Sequence, residues 1–239
     1  MKFHRMTRSA AASALLLSLC LPFSGASAAA YEVTEKLRED MPPFRFTLEY
    51  SQFSYDAQQR GQRDYTQEGD FFYIHSISVT SAEGGALLQR IELNPPAETC
   101  DDERFGFVLE DMNFDGFLDM RVSQFMSAGT NIPYHCFLWD PAGGAFVYNE
   151  ALSAVPSPIF EPQGKLVTGF ERVSASEYIE TTYAYDPGGA LTPIGRITTG
   201  YDYDSGVMIT TIEHLIDGQL QVTDIRKERF LDGTLPEAE

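Results

Sequence analysis

The stretch Glu110–Met120, EDMNFDGFLDM, holds the densest chemistry in the chain. Four acidic side chains, one Asn and one Gly fall within eleven residues. Counted from Asp111, side-chain oxygens stand at positions 1 (Asp111), 3 (Asn113), 5 (Asp115) and 9 (Asp119), with Gly116 at position 6. Calcium takes about six to eight hard oxygen ligands, and a tight loop supplies them by offering every second residue. Gly116 permits the sharp turn, and the backbone carbonyl of Phe117 would complete the set. Asn113 adds a neutral oxygen, which lowers repulsion among the acids. A helix-loop-helix calcium site closes with Glu at position 12; here that position is Val122 and the flanks read as strands. The pattern is therefore a strand-loop-strand form, D-x-N-x-D-G-x-x-D, and the expectation is a structural calcium ion. The competing reading is a polar Asp-Gly turn, which would leave four like charges close together with nothing to offset them.

Other chemistry is sparse. Beyond residue 30 the only histidines are His75, His135 and His214, none with a second ligand at a zinc-binding spacing. No Ser lies in a nucleophile-elbow sequence. A glycosidase needs paired carboxylates, but so acidic a chain contains many and singles out none. The expectation is a protein without catalytic residues. A second candidate feature is the small-residue loop from Ser127 to Tyr134. Ser127, Gly129, Thr130, Asn131 and Tyr134 could form a rigid tip for a partner, or only a hairpin connection. Trp139, the single Trp, reads as core.

The elements that position these residues have a period of two. FRFTLEY from Phe44 alternates apolar and polar residues. FFYIHSISV from Phe71 and ALLQRIEL from Ala86 flank the turn Glu83-Gly84-Gly85. FGFVLE leads into the acidic stretch and MRVSQF leads out. YHCFLW from Tyr134 is apolar on both faces, as expected of a central strand. Pro156 and Pro158 mark a connection, after which five more strands form a meander to LQVTDIRKERF, with turns such as Asp186-Pro187-Gly188-Gly189 and Asp217-Gly218. The fold class is all-β and antiparallel, with about eleven strands, as a two-layer sandwich or an incomplete propeller.

Residues 1–28 read as a secretory signal peptide. Lys2, Arg5 and Arg8 precede an apolar run from Ala10 to Leu21, and Ala26-Ser27-Ala28 suits cleavage near residues 28–30. Leu19 before Cys20 does not fit a lipoprotein signal. Residues 29–43 form an N-terminal segment, with Glu32–Glu39 as a short helix or linker ended by Pro42-Pro43. Residues 44–239 form a single β domain. Removal of the leader leaves 14 basic against 35 acidic residues, a net charge of −21. Such a chain is repelled by nucleic acid and anionic lipid and attracts cations and basic proteins. No later run is long enough to span a membrane, so the expected location is periplasmic or extracellular. In that setting Cys100 and Cys136 read as a disulfide, closing about 37 residues around the acidic stretch, worth roughly 4 kcal/mol; the alternative is two buried free thiols.

The run DMNFDGFLDMRV, AGTNIPYHCFLWDP and FVYNEAL, within Asp111–Leu152, resembles a family of exported bacterial proteins. It includes the periplasmic immunity proteins of bacterium-killing type IV secretion systems, which inhibit lysozyme-like peptidoglycan hydrolases and are similar in fold to invertebrate-type lysozyme inhibitors. The loop itself looks like the calcium loops of FG-GAP-type propeller blades. The resemblance implies a β fold with calcium at Asp111, Asn113, Asp115, the Phe117 carbonyl and Asp119. It also implies loops that enter a hydrolase cleft, here Ser127–Tyr134, where this chain reads Gly129-Thr130-Asn131 and family members often read Gly-x-Gly-Asn. The expected function is an exported calcium-binding protein with a protein partner, a cationic peptidoglycan hydrolase being the candidate. The alternatives are a cell-surface, glycan- or peptidoglycan-binding module with a structural calcium site and, after it, a hydrolase in its own right.

Overall fold

The structure, a computed structural model, describes residues 28–54, 70–100, 106–125 and 131–229. Most of the expected leader and most of the polar loop from Asp56 lie outside these residues. Among the described residues fourteen strands form three antiparallel sheets, and in each sheet every strand pairs with its neighbours in sequence. The first sheet is β1 (Ala28–Glu35), β2 (Phe44–Ser54), β3 (Asp70–Ser81) and β4 (Leu87–Cys100). The second is β5 (Phe107–Glu110), β6 (Asp119–Ser123), β7 (Tyr134–Asp140) and β8 (Ala145–Tyr148). One helical turn, α1 (Glu150–Ser153), follows, capped by the Asn149 side chain, which accepts the Leu152 N–H at 2.9 Å. The third sheet runs β9 (Ile159–Glu161), β10 (Leu166–Arg172), β11 (Glu177–Tyr185), β12 (Leu191–Asp202), β13 (Val207–Ile216) and β14 (Gln219–Arg229).

The all-β antiparallel architecture is as expected, and the eleven expected strands are present. The three additional ones are β1, β8 and β9. The expected helix over Glu32–Glu39 is a correction: Tyr31 and Val33 alternate with exposed residues along β1 and pack on the core, as a strand requires. Strand pairing with β2, from Ala28↔Ser51 to Glu35↔Phe44, outweighs the weak helical spacing of Val33 and Leu37.

The central strands of the middle sheet, β6 and β7, are buried on both faces. Along β7, Phe137 and Trp139 belong to a core shared with the first sheet, whereas Cys136 and Leu138 face a second core. Phe46 centres the first core, with ring centroids 5.6 Å from Phe107 and 5.7 Å from Phe146. The second core gathers Met112, Cys136, Leu152, Val155 and Val167, with Phe160, Tyr183 and Tyr185 against it. A bulge at His75 shifts the inward positions of β3 from Phe72 and Ile74 to Ile77 and Val79.

The same alternation corrects the expected disulfide. No disulfide is seen among the described residues, and Cys136 is a free, buried thiol. Cys100 ends β4, opposite Phe71 in the first sheet. Cys136 faces the other side of the middle sheet, away from the sheet that carries Cys100. Burial pushes its thiol up to about 12, which disfavours the reactive thiolate. In the native protein Cys136 should resist alkylation at pH 8 and react once urea unfolds the chain, as peptide mass spectrometry would show. A Cys100–Cys136 cross-linked peptide in a non-reducing digest would contradict this arrangement.

Candidate functional site

The acidic loop joins β5 to β6, whose ladder ends at the pair Glu110↔Asp119. Its polar side chains fold the turn from within. Asp111 Oδ1 accepts the Asp115 N–H at 3.1 Å, and its Oδ2 accepts the Gly116 N–H at 2.9 Å. Asn113 Oδ1 also accepts the Asp115 N–H, at 3.1 Å, while Asn113 Nδ2 donates to Asp115 Oδ2 at 2.9 Å. Asp115 Oδ1 accepts the Phe117 N–H at 2.9 Å. Gly116 holds φ at 91°, a conformation that side chains oppose. Phe114 also has positive φ, 61°. Its ring packs on the second core, 6.3 Å from that of Tyr185, while Leu118 packs on the first. The two apolar anchors thus hold the turn from opposite sides.

Asp119 differs from the other acids. It is fully buried, and its carboxylate binds two backbone amides: Oδ1 accepts from Trp139 and Oδ2 from Met112, each at 2.8 Å. By the β6–β7 register Trp139 lies beyond the last paired residue of β6, so the Asp119 side chain replaces a missing ladder bond. Burial pushes this carboxyl up to about 7; the Trp139 and Met112 amides pull it down, and Asp115 and Asp111 add to the rise. Protonation would set an O–H against an N–H donor at one oxygen, so the two amide bonds favour the carboxylate.

Two cations come to the loop from elsewhere in the chain. The Arg38 guanidinium lies over the Phe117 ring at 4.0 Å, binds Asp40 at 2.6 Å and is within electrostatic reach of Asp115. Lys165 donates to the Phe114 carbonyl at 3.5 Å. The Leu118 N–H donates to the Leu37 carbonyl at 2.7 Å, with Leu37 itself buried in the first core. The segment before β2 is therefore docked on the loop. Among the described residues no group of three or more His, Cys, Asp or Glu side chains stands in a metal-holding arrangement. The turn brings Asp111, Asn113 and Asp115 together, whereas Asp119 is turned to the amides at its base. The Tyr185 hydroxyl, buried and without a hydrogen-bond partner among the described residues, is pushed up by burial first and then by Asp119, Cys136, Asp111 and Asp115.

Of the expected partner loop, Ser127, Gly129 and Thr130 lie outside the described residues. Asn131 acts as a staple: its Nδ2 donates to the Arg172 carbonyl at 3.0 Å and its Oδ1 accepts the Arg172 N–H at 2.6 Å. Tyr134 lies under the Arg121 guanidinium, 4.3 Å from ring centroid to Cζ. Arg121 is the residue that strand patterning missed. It meets Glu110 at 2.5 Å without hydrogen-bond alignment, donates to the Pro158 carbonyl at 3.2 Å and reaches the Phe160 ring at 5.5 Å. Burial pushes the Glu110 carboxyl up, and the Arg121 charge pulls it back. This one side chain joins β5, β7 and the start of the third sheet. Its signal was a lone Arg between apolar residues in a short central strand.

Profiles of known protein families and curated proteins give no match to the chain. Arg121→Ala would leave Glu110 half-buried and unpaired and should lower stability by roughly 2 kcal/mol in urea unfolding. Glu110→Gln with Arg121→Met should recover part of that loss, because neither partner is then left as an unpaired charge.

Proposed function

We propose that the loop from Asp111 to Asp119 holds a structural calcium ion in an exported, non-enzymatic protein that binds another protein. The candidate partner is a cationic, lysozyme-like peptidoglycan hydrolase, which this chain would inhibit. The observation that carries the calcium assignment is the single tight turn that gathers Asp111, Asn113 and Asp115 around Gly116 at φ 91°. The donor set is made of hard oxygens, the kind calcium prefers. A carboxylate oxygen that accepts one N–H keeps a further lone pair for an ion. The unpartnered Tyr185 hydroxyl beside these acids supplies one more polar atom where a hydrated cation would sit. An ion would also offset repulsion that Arg38 and Lys165, both at the rim, offset only in part.

Support for a basic protein partner comes from charge. The whole chain carries −18, and long-range attraction of this kind speeds encounter with a cationic partner. Asn131, tied to Arg172, anchors one end of the partner loop to the third sheet. An anchor already fixed in this way loses little conformational freedom on association.

The test is thermal unfolding in EDTA and in about 2 mM calcium, for the wild type and Asp115→Ala. The expected outcome is a calcium-dependent rise of about 3–6 °C in the wild type, absent from the variant. Inhibition of a lysozyme-like hydrolase should then weaken when the ion is removed. Equal midpoints with and without calcium, in a folded protein, would reduce the loop to a turn balanced by the protein's own cations. Calcium binding without any effect on hydrolase activity would leave the ion and remove the partner.

A further inference from the structure

The third sheet thins outward from the second core. Val167 on β10 is fully buried, whereas β14 is exposed along almost its whole length, with Val222 and Ile225 each 55% exposed. β14 ends the sheet, and among the described residues no strand pairs with its outer edge. A long open edge is a template for another strand, and natural proteins usually blunt it. β14 does carry a bulge at Thr223, whose hydroxyl turns inward to His214 at 2.7 Å and to the Ile212 carbonyl. Residues Asp224–Arg229 beyond it form an unbroken ladder with β13.

We propose that β14 pairs antiparallel with β14 of a second copy of this chain, about a two-fold axis at Ile225. The sequence of the strand is self-complementary in that register. Asp224 of each copy then stands opposite Arg226 of the other, and Ile225 opposite Ile225. Past the bulge, Val222 meets Lys227, Gln221 meets Glu228 and Leu220 meets Arg229, with no like charges opposed. Opposite-charge and apolar cross-strand pairs stabilise antiparallel sheets, and like charges directly opposite destabilise them. Registers centred on a charged residue of the strand fail on that rule. A two-fold at 224, 226, 227 or 228 sets Asp on Asp, Arg on Arg, Lys on Lys or Glu on Glu.

Two further features favour a second copy over an unrelated strand. In a chain of net charge −18, the segment Asp224–Arg229 holds three basic and two acidic residues, so the repulsion between copies is least here. Asp224 and Arg226 already lie together on one face, 2.9 Å apart, and the two-fold would convert that pair into an alternating four-charge cluster. The resulting interface is isologous and closed, which limits assembly to a dimer.

The test is analytical ultracentrifugation of the purified protein over a concentration series, with three sequences. The wild type should show a monomer–dimer equilibrium. Arg226→Asp, which places acid opposite acid twice across the two-fold, should weaken the dimer by at least about tenfold. The double swap Asp224→Arg with Arg226→Asp restores both pairs and should restore the dimer. These side chains are exposed, and unchanged circular dichroism would confirm that each variant is folded. A wild type that stays monomeric at every concentration overturns the proposal. So does a dimer that ignores Arg226→Asp, or a double swap as weak as the single one.

Discussion

Strands buried on both faces must satisfy every polar group within the protein, and that constraint governs β6 and β7 of the middle sheet. β6 is short, so its ladder to β7 stops before Trp139. The Asp119 carboxylate fills the gap by accepting from Trp139 and, at the same time, from Met112 in the acidic loop. One buried side chain therefore fixes the end of a central strand and the start of the loop together. That anchor holds the base of the loop, while Asp111, Asn113 and Asp115 fold the turn between its ends.

Other side chains solve the same problem at other edges. Gln89 accepts from and donates to the backbone of Phe146 at 2.8 and 2.9 Å, linking β4 to β8. Asn131 does the same with Arg172 on β10. Arg121 ties the middle sheet to the Pro158 carbonyl and the ring of Phe160. These contacts join three sheets whose strands otherwise pair only with their neighbours in sequence. They place the acidic loop between two cores, with the segment around Leu37 and Arg38 against one side and Lys165 at another.

Much of the fold was legible because alternation is a direct consequence of strand geometry. β2, β7 and the meander from β10 to β14 stand where their patterns put them. β8 and β9, at four and three residues, are too short to show a period. β1 was misread because Val33 and Leu37 are also spaced for a helix, and only pairing with β2 decides between the two. The disulfide was misread for a different reason. YHCFLW is apolar on both faces, so its pattern does not reveal that Cys136 faces away from the first sheet. Within the site, the sharp turn at Gly116 was readable from spacing. The commitment of Asp119 to two amides was not, because one of them is distant in sequence. Arg38 and Lys165 were invisible for the same reason.

The central claim is that the Asp119 carboxylate holds the loop and the middle sheet as one unit. Amide hydrogen exchange at Met112 and Trp139, in the wild type and in Asp119→Ala, tests it most directly. Both amides should exchange only through near-global unfolding in the wild type, and both should lose protection together in the variant while Phe46 on β2 keeps its own. Unchanged protection at Met112 and Trp139 in a folded Asp119→Ala protein would contradict the claim.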